Sequence, residues 1–180
     1  RQMCIRDRSC APLRGHKGRE WDGGVRVPAV LCWKGRFAAG VRSEQLAAFV
    51  DMAPTIAALV GAGEPPRPYD GVNLLPVLTG KTASFPRDLY LGCGAAVSGD
   101  YKLILKGGNR AMQLKGDYLV CYPEDPYEAQ NRIEEHAAEA ERLRRYIIRY
   151  DTIRPAHPEL PYGQGKEGFK APAEWRVTKP

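Results

Sequence analysis

The sequence lacks several features that would settle its class at once. No run of about 18 apolar residues occurs, so nothing in the chain predicts a transmembrane helix. Histidine is scarce, with three residues, and no two cysteines stand in a CxxC pair, which argues against a zinc site. No metal site is predicted from the residues present.

A strong charge of one sign is also missing. The formal net charge is +6 on 180 residues, and no basic stripe of the kind that follows nucleic acid is visible. The modest excess of cations fits a small anionic ligand better. We therefore expect neither a nucleic-acid partner nor a membrane partner. The length is enough for one domain with a sizeable core.

Five cysteines are present, at positions 4, 10, 32, 93 and 121. Cys32 lies in an apolar stretch and is expected to behave as a small core residue. Cys93 and Cys121 can pair only if their strands are neighbours, which the sequence does not decide. The cysteines therefore do not decide whether the protein is found in an oxidising or a reducing compartment.

What the sequence does have is a stretch, residues 12–28, that is dense in glycine and cation and runs into an apolar segment ending at Trp33. Glycines allow a backbone to turn tightly and to approach a ligand closely. Clustered cations suit an oxyanion such as a sulfate or phosphate ester. Loops that feed buried strands are where α/β enzymes place ligand groups, and residues 25–33 are predicted to form such a strand. The alternative is a solvated cationic surface loop.

The order of residues in this stretch resembles the sulfatase family of the alkaline-phosphatase-like superfamily, and within it the arylsulfatase B type. The matching order is Pro-Leu-Arg-Gly-x-Lys at 12–17 followed by Trp-Asp-Gly-Gly-Val-Arg at 21–26. The family usually has Glu where Asp22 stands. Further matches at Asp70–Gly80, Tyr101–Leu103 and Asp125–Asn131 extend the resemblance over most of residues 11–150.

The resemblance implies roles for six residues. Lys17 stands where the family's loop lysine reaches the sulfate, so it is predicted to be both catalytic and substrate-binding. His16 is expected near the leaving group, and Trp21 either lines the substrate pocket or packs in a core. Loop support is assigned to Arg14 and Asp22, through an ion pair, and to Arg26 at the entrance of the strand.

The family's cofactors are calcium and a formylglycine made from Cys or Ser in a Cys/Ser-x-Pro-x-Arg signature. Residues 10–14 spell that signature, but Gly15 to Gly18 cannot sustain the helix that follows it in the family. Cys10 is therefore not taken as the nucleophile. The resemblance places the nucleophile and the calcium carboxylates upstream, so the chain is expected to be a C-terminal fragment that is inactive alone.

The predicted fold class is α/β. Residues 9–85 are predicted to be the C-terminal end of a sulfatase catalytic domain, and residues 86–153 a small antiparallel sheet packed on a C-terminal helix. Residues 154–180 are rich in proline and glycine and are predicted to form a tail. Residues 1–8 resemble a translated sequencing adapter and are set apart from the fold.

Several elements can be predicted individually. Asp51 is expected to cap a helix that carries Pro54 in its first turn and is ended by residues Gly61 to Gly63. Strands are predicted at 88–91, 101–105 and within 112–122. Residues 137–150 predict an amphipathic helix whose apolar stripe covers the small sheet. Its basic face is interpreted as a solvated surface.

Three functions remain open at this point. The intact parent is expected to be a sulfuric ester hydrolase acting on a sulfated sugar or an aryl ester. The alternatives are a phosphodiesterase or phosphonate hydrolase of the same superfamily and a non-catalytic, anion-binding remnant. The family is typically periplasmic or secreted, but nothing in this sequence assigns a location.

Overall fold

The structure, a computed structural model, describes residues 10–63, 65–153, 168 and 170. The predicted adapter-like segment and nearly all of the predicted tail lie outside these residues. No helix among the described residues is long and apolar enough to cross a membrane.

The first half of the described chain is mostly irregular, with three short α-helices. These are α1 (Asp22–Val25), α2 (Met52–Val60, preceded by a 3-10 turn at Phe49–Asp51) and α3 (Leu75–Leu78). Helix α2 ends at Gly61, whose φ of 65° is the left-handed conformation that glycine adopts most easily. The helix with Pro54 in its first turn and its stop at glycine are confirmed.

The second half is a four-stranded antiparallel meander followed by a long helix. Its strands are β1 (Asp88–Gly92), β2 (Ala95–Ser98), β3 (Tyr101–Ile104) and β4 (Tyr118–Cys121), in the spatial order β1-β2-β3-β4. Helix α4 (Ala137–Asp151) follows. The α/β class, the small sheet and the C-terminal helix are confirmed. Strand β2 was not predicted.

Both faces of the sheet are covered. On one face Leu103 and Leu119 pack against Ala140, Leu143 and Ile147 of α4. On the opposite face Ala95, Ile104 and Val120 pack against Trp21. This arrangement follows from the alternation of side chains along a strand. It places residues 14–26, named here the glycine loop, directly against the sheet. The predicted boundary at residue 86 stays a prediction, and the contacts of the loop cross it.

The predicted strand at 25–33 is wrong. Val25 ends α1, and the following residues have no regular structure, with Val27 81% and Val30 93% exposed. A strand needs a neighbour for its backbone hydrogen bonds, and no strand in the described part of the chain pairs with this stretch. Cys32 is exposed rather than in a core, and Cys93 and Cys121 are free thiols.

Asp51 occupies the N-cap position of α2 as predicted, but its side chain makes no capping hydrogen bond to that helix. The buried carboxylate instead accepts hydrogen bonds from the amides of Ala48, at 2.6 Å, and Val72, at 2.9 Å. It also pairs with Arg87 at 2.5 Å. Asp51 therefore joins three separate segments.

Candidate anion-binding loop

The glycine loop closes on its own backbone. The amide of Gly23 donates to the Arg14 carbonyl at 2.7 Å, and the Arg19 amide donates to the His16 carbonyl at 3.1 Å. A β-carbon on Gly24 would lie 2.0 Å from the Arg19 carbonyl oxygen. Glycine is needed here because carbonyl groups pack directly on the backbone of α1.

A buried ionic cluster fastens this loop to the sheet. Lys102 of β3 is 1% exposed, and its ammonium lies 2.6 Å from Asp22 Oδ1 and 2.5 Å from Glu128 Oε1. The same ammonium donates to the Glu20 carbonyl at 3.1 Å. Glu128 Oε2 accepts from the Asp22 amide at 2.8 Å. Loop, strand and the turn after β4 therefore meet at one lysine.

Burial affects the two carboxyl groups of the cluster differently. Burial by itself raises the pKa of Asp22, but attraction to Lys102 and hydrogen bonds from Lys102, Tyr122 and Arg26 outweigh it, so the pKa is lowered. For Glu128 burial dominates and the pKa is raised despite Lys102. Glu128 also has a φ of 59°, in the left-handed region that non-glycine residues rarely adopt. Its carboxylate is thus held in the cluster by an unusual backbone conformation.

Arg14 is held by aromatic rings and not by an acid. Its guanidinium carbon lies 3.7 Å from the centre of the Trp21 ring, and it donates to the Tyr118 hydroxyl at 3.1 Å and to the Glu128 carbonyl. Trp21 and Tyr118 contact edge to face, with centroids 4.9 Å apart. Cations over aromatic faces are attracted by the ring quadrupole. The charge of Arg14 is therefore fixed in place, and no carboxylate in the described part of the chain pairs with it.

A second polar contact holds the tip of the loop. Asn109 donates from its side-chain amide to the Gly18 carbonyl at 3.0 Å and to both carboxylate oxygens of Glu20, at 2.8 and 2.9 Å. Gly18 and Glu20, the residues on either side of Arg19, are therefore tied to the segment that follows β3.

A shallow cavity of about 270 Å³ lies beside the loop. Three basic side chains line it, from Arg14, His16 and Arg19, together with Gly15, Trp21 and residues 111–113. None of the described residues that line it is a carboxylate. Three basic groups without an acid among them favour an anionic ligand.

The structure brings some predicted site residues together and leaves one apart. Arg14, His16 and Trp21 share the cavity, whereas Lys17 is exposed and does not line it. The predicted ion pair between Arg14 and Asp22 is wrong: Asp22 pairs with Lys102 and, at 3.1 Å, with Arg26. Arg26 follows a helical turn and not a strand. Trp21 both packs on the sheet and lines the cavity, so its two predicted placements are compatible.

Sequence reasoning missed the residues that hold the loop from the other side, which are Lys102, Asn109, Tyr118, Tyr122 and Glu128. One signal was available for Lys102. It lies two residues before Ile104 in an alternating strand, so the two side chains share a face, and a lysine on a buried face needs an acidic partner.

Comparison with known proteins identifies similar chains. No protein-family model matches. Bovine arylsulfatase A (Bos taurus) is 44% identical over 100 residues, covering 50% of this chain and 19% of its own length. Arylsulfatase G of Canis lupus familiaris is 31% identical over 178 residues, covering 88% and 33%. Human steryl-sulfatase is 40% identical over 70 residues, covering 38% and 12%. The chain therefore spans a third or less of these relatives.

Proposed function

The chain belongs to the sulfatase family, and from this premise we propose that its parent protein is a sulfuric ester hydrolase of the arylsulfatase type. The proposed substrate is the sulfate ester of a sugar or an aryl alcohol. The observation that supports it best is the cavity beside the glycine loop, whose described lining contains three basic groups and no acid.

The proposed role of the loop is to hold positive charge at the sulfate oxygens. Charge develops on these oxygens and on the leaving oxygen as the ester bond breaks, and fixed cations stabilise it without reorganising. Arg14 meets this requirement through its contacts with Trp21 and Tyr118. His16 and Arg19 stand on the same cavity wall.

Lys17 is the proposed catalytic residue of the loop. Its side chain is exposed and lies outside the cavity lining, between the lining residues His16 and Arg19 in sequence, so its ammonium is open to a ligand that approaches from solvent. The backbone on both sides of it is held, by the Asn109 bond to Gly18 and by the Arg19 to His16 turn. An ammonium that assists departure of the bridging oxygen supplies charge stabilisation of this type.

The family also implies calcium and formylglycine. Calcium takes oxygen ligands, mostly carboxylates, and the described residues offer no group of three or more carboxylates close enough to share one ion. The glycine loop therefore does not fit calcium, and we assign it to the ester alone. Residues 11–14 are turn and bend, and no helix begins directly after Cys10, which supports rejecting Cys10 as the nucleophile.

The test uses the full-length parent and steady-state hydrolysis of an aryl sulfate. We expect Lys17→Ala to lower kcat/KM about 10²- to 10³-fold, the effect of losing one charge-stabilising donor. Lys115→Ala, an exposed lysine in another segment, is the matched control and should be unchanged. Equal kinetics for both variants would remove Lys17 from the site. Turnover of phosphodiesters in preference to sulfate esters would contradict the proposed activity itself.

A further inference from the structure

We propose that Cys121, Glu124 and His136 form a binding site for one divalent transition-metal ion of the zinc type, at the end of the sheet where α4 begins. One ligand atom from each residue lies within 4.8 Å of the other two. The site shares no residue with the glycine loop and does not depend on the proposed function. It revises the expectation from sequence spacing that the chain holds no metal.

The backbone fixes all three residues. Cys121 is the last residue of β4. In the turn that follows, the backbone amides of Glu124 and Asp125 donate hydrogen bonds to the Cys121 carbonyl, at 3.1 and 2.8 Å, and this holds Glu124 close to Cys121. His136 immediately precedes α4, and its amide donates to the Arg132 carbonyl at 3.1 Å. The three donors therefore converge because of the fold, although 15 positions separate Cys121 from His136.

The spacing of two ligand atoms matches a tetrahedral ion. His136 Nε2 lies 3.3 Å from Glu124 Oε1. Zinc binds imidazole nitrogen at about 2.0–2.1 Å and carboxylate oxygen at about 2.0–2.2 Å, so two such ligands at a tetrahedral angle stand about 3.3–3.5 Å apart. The pair needs little rearrangement to receive the ion.

Tyr101 contacts His136 from the side away from the proposed metal ion, as residues that hydrogen-bond to metal ligands do in metal centres. Its hydroxyl lies 3.4 Å from His136 Nδ1, and the two rings meet edge to face with centroids 5.1 Å apart. When Nε2 binds a metal, Nδ1 carries the proton and can donate to this oxygen. Such a bond orients the imidazole and fixes its tautomer.

The charges balance for a divalent ion. A thiolate and a carboxylate supply two negative charges, and binding releases the thiol proton to solvent. Arg132 also contacts Glu124, but at Oε2, at 3.4 Å, and it is shared with Glu135. Oε1 is thus left for the metal. A thiolate with an imidazole selects zinc over calcium or magnesium. Glu124 and His136 are partly exposed, so water can supply the fourth ligand.

The experiment titrates the purified 180-residue chain, stripped with a chelator, with Zn²⁺ and separately with Co²⁺. We expect one equivalent of Zn²⁺ to bind and to raise the Tm, and the Co²⁺ form to show thiolate-to-cobalt charge-transfer absorption. Cys121→Ser and Glu124→Gln should weaken binding at least tenfold, and Tyr101→Phe about tenfold.

Cys93→Ser, which changes another free cysteine, is the control and should bind as the parent chain does. Glu124 is exposed, so Glu124→Gln tests the site even if Cys121→Ser does not fold. The proposal is overturned by the absence of Zn²⁺ binding, by Co²⁺ binding without a thiolate band, or by a Glu124→Gln chain that binds as tightly as the control.

Discussion

Helix α4 covers one face of the four-stranded sheet with aliphatic side chains. The glycine loop covers the other face with Trp21 and with Asp22, which pairs with Lys102 of β3 beside Glu128. Leu103, Leu119 and Leu143 on the helix side tolerate small shifts, since apolar contacts are not directional. Lys102, Asp22 and Glu128 do not, since each needs the others within hydrogen-bonding distance. The apolar contacts on the face that α4 covers therefore stabilise the fold, whereas the ion pairs on the opposite face fix the position of the glycine loop.

Removal of Lys102 should have the largest effect. Lys102→Met keeps the length of the side chain but leaves Glu128 buried without its cation and Asp22 with the largely exposed Arg26 alone. Breaking a buried pair in this way costs about 3–5 kcal/mol. The free energy of unfolding from urea titration measures this. Lys106→Met, at an exposed lysine shortly after β3, is the control and should change little.

The same variant can be rescued if the ionic interpretation is correct. Adding Asp22→Asn and Glu128→Gln to Lys102→Met removes the unpaired charges and should restore part of the lost free energy. A triple variant less stable than Lys102→Met would show that the cluster acts by packing and not by charge.

Truncation on the helix face should cost somewhat less and leave the loop in place. Leu143→Ala empties a fully buried site, which costs about 2–5 kcal/mol. Ile148→Ala, on the exposed side of α4, is the control. Hydrogen exchange separates the two faces: the Gly23 amide, bonded to Arg14, should stay protected in Leu143→Ala and lose protection in Lys102→Met. Equal loss in both variants would mean that the faces are not distinct.

The contrast between the faces also explains what could be predicted from the sequence. Helix α4 and strands β1, β3 and β4 were predicted because their apolar residues recur at helical or alternating spacing. Such elements can be predicted because the spacing of apolar residues within the segment itself shows which side chains will be buried. Strand β2 was missed, since Ala95 and Ala96 are both buried, on opposite faces, and the segment shows no alternation.

The site was predicted only in part for a different physical reason. The residues of the glycine loop stand together in the sequence, but their partners Lys102 and Glu128 are about 80 and 106 positions from Asp22. No periodicity links residues so far apart. The same limitation explains the wrong strand at 25–33, since apolar composition does not say whether a neighbouring strand is present.

A β-carbon at Gly24 should disturb the loop face alone. It would lie 2.0 Å from the Arg19 carbonyl oxygen, so the backbone must move, and overpacking of this kind costs about 1–3 kcal/mol. Gly116→Ala is the control, since no atom lies within 4 Å of the added carbon there. In the full-length parent, Gly24→Ala should lower aryl sulfate turnover at temperatures where the protein is still folded. Unchanged turnover would mean that the proposed activity does not depend on the backbone conformation of the glycine loop.

The smallest expected effect is the pH dependence of Asp22. Its lowered pKa means that the ionised form stabilises the fold above the ordinary value of 3.8, and that this contribution is lost as the pH falls through the lower folded value. Asp22→Asn keeps one accepting oxygen, for the bonds from Lys102 and Tyr122 at Oδ1, but loses the charge and the acceptor for Arg26 at Oδ2. The parent chain should therefore be more stable than Asp22→Asn near pH 6, and the difference should shrink as the pH drops below about 3.8.

Glu128 has the opposite sign, since its raised pKa favours folding as it gains a proton near and above its ordinary value of 4.5. Glu128 is present in both chains, so most of its contribution cancels from their difference, except for the part by which the charge of Asp22 raises the Glu128 pKa. The exposed Asp70→Asn gives the baseline for a carboxylate on the surface. The difference in the free energy of unfolding between the parent chain and Asp22→Asn could instead stay constant from pH 6 to pH 3. That result would mean that Asp22 holds the loop by hydrogen bonding alone, and that Glu128 neutralises the charge of Lys102.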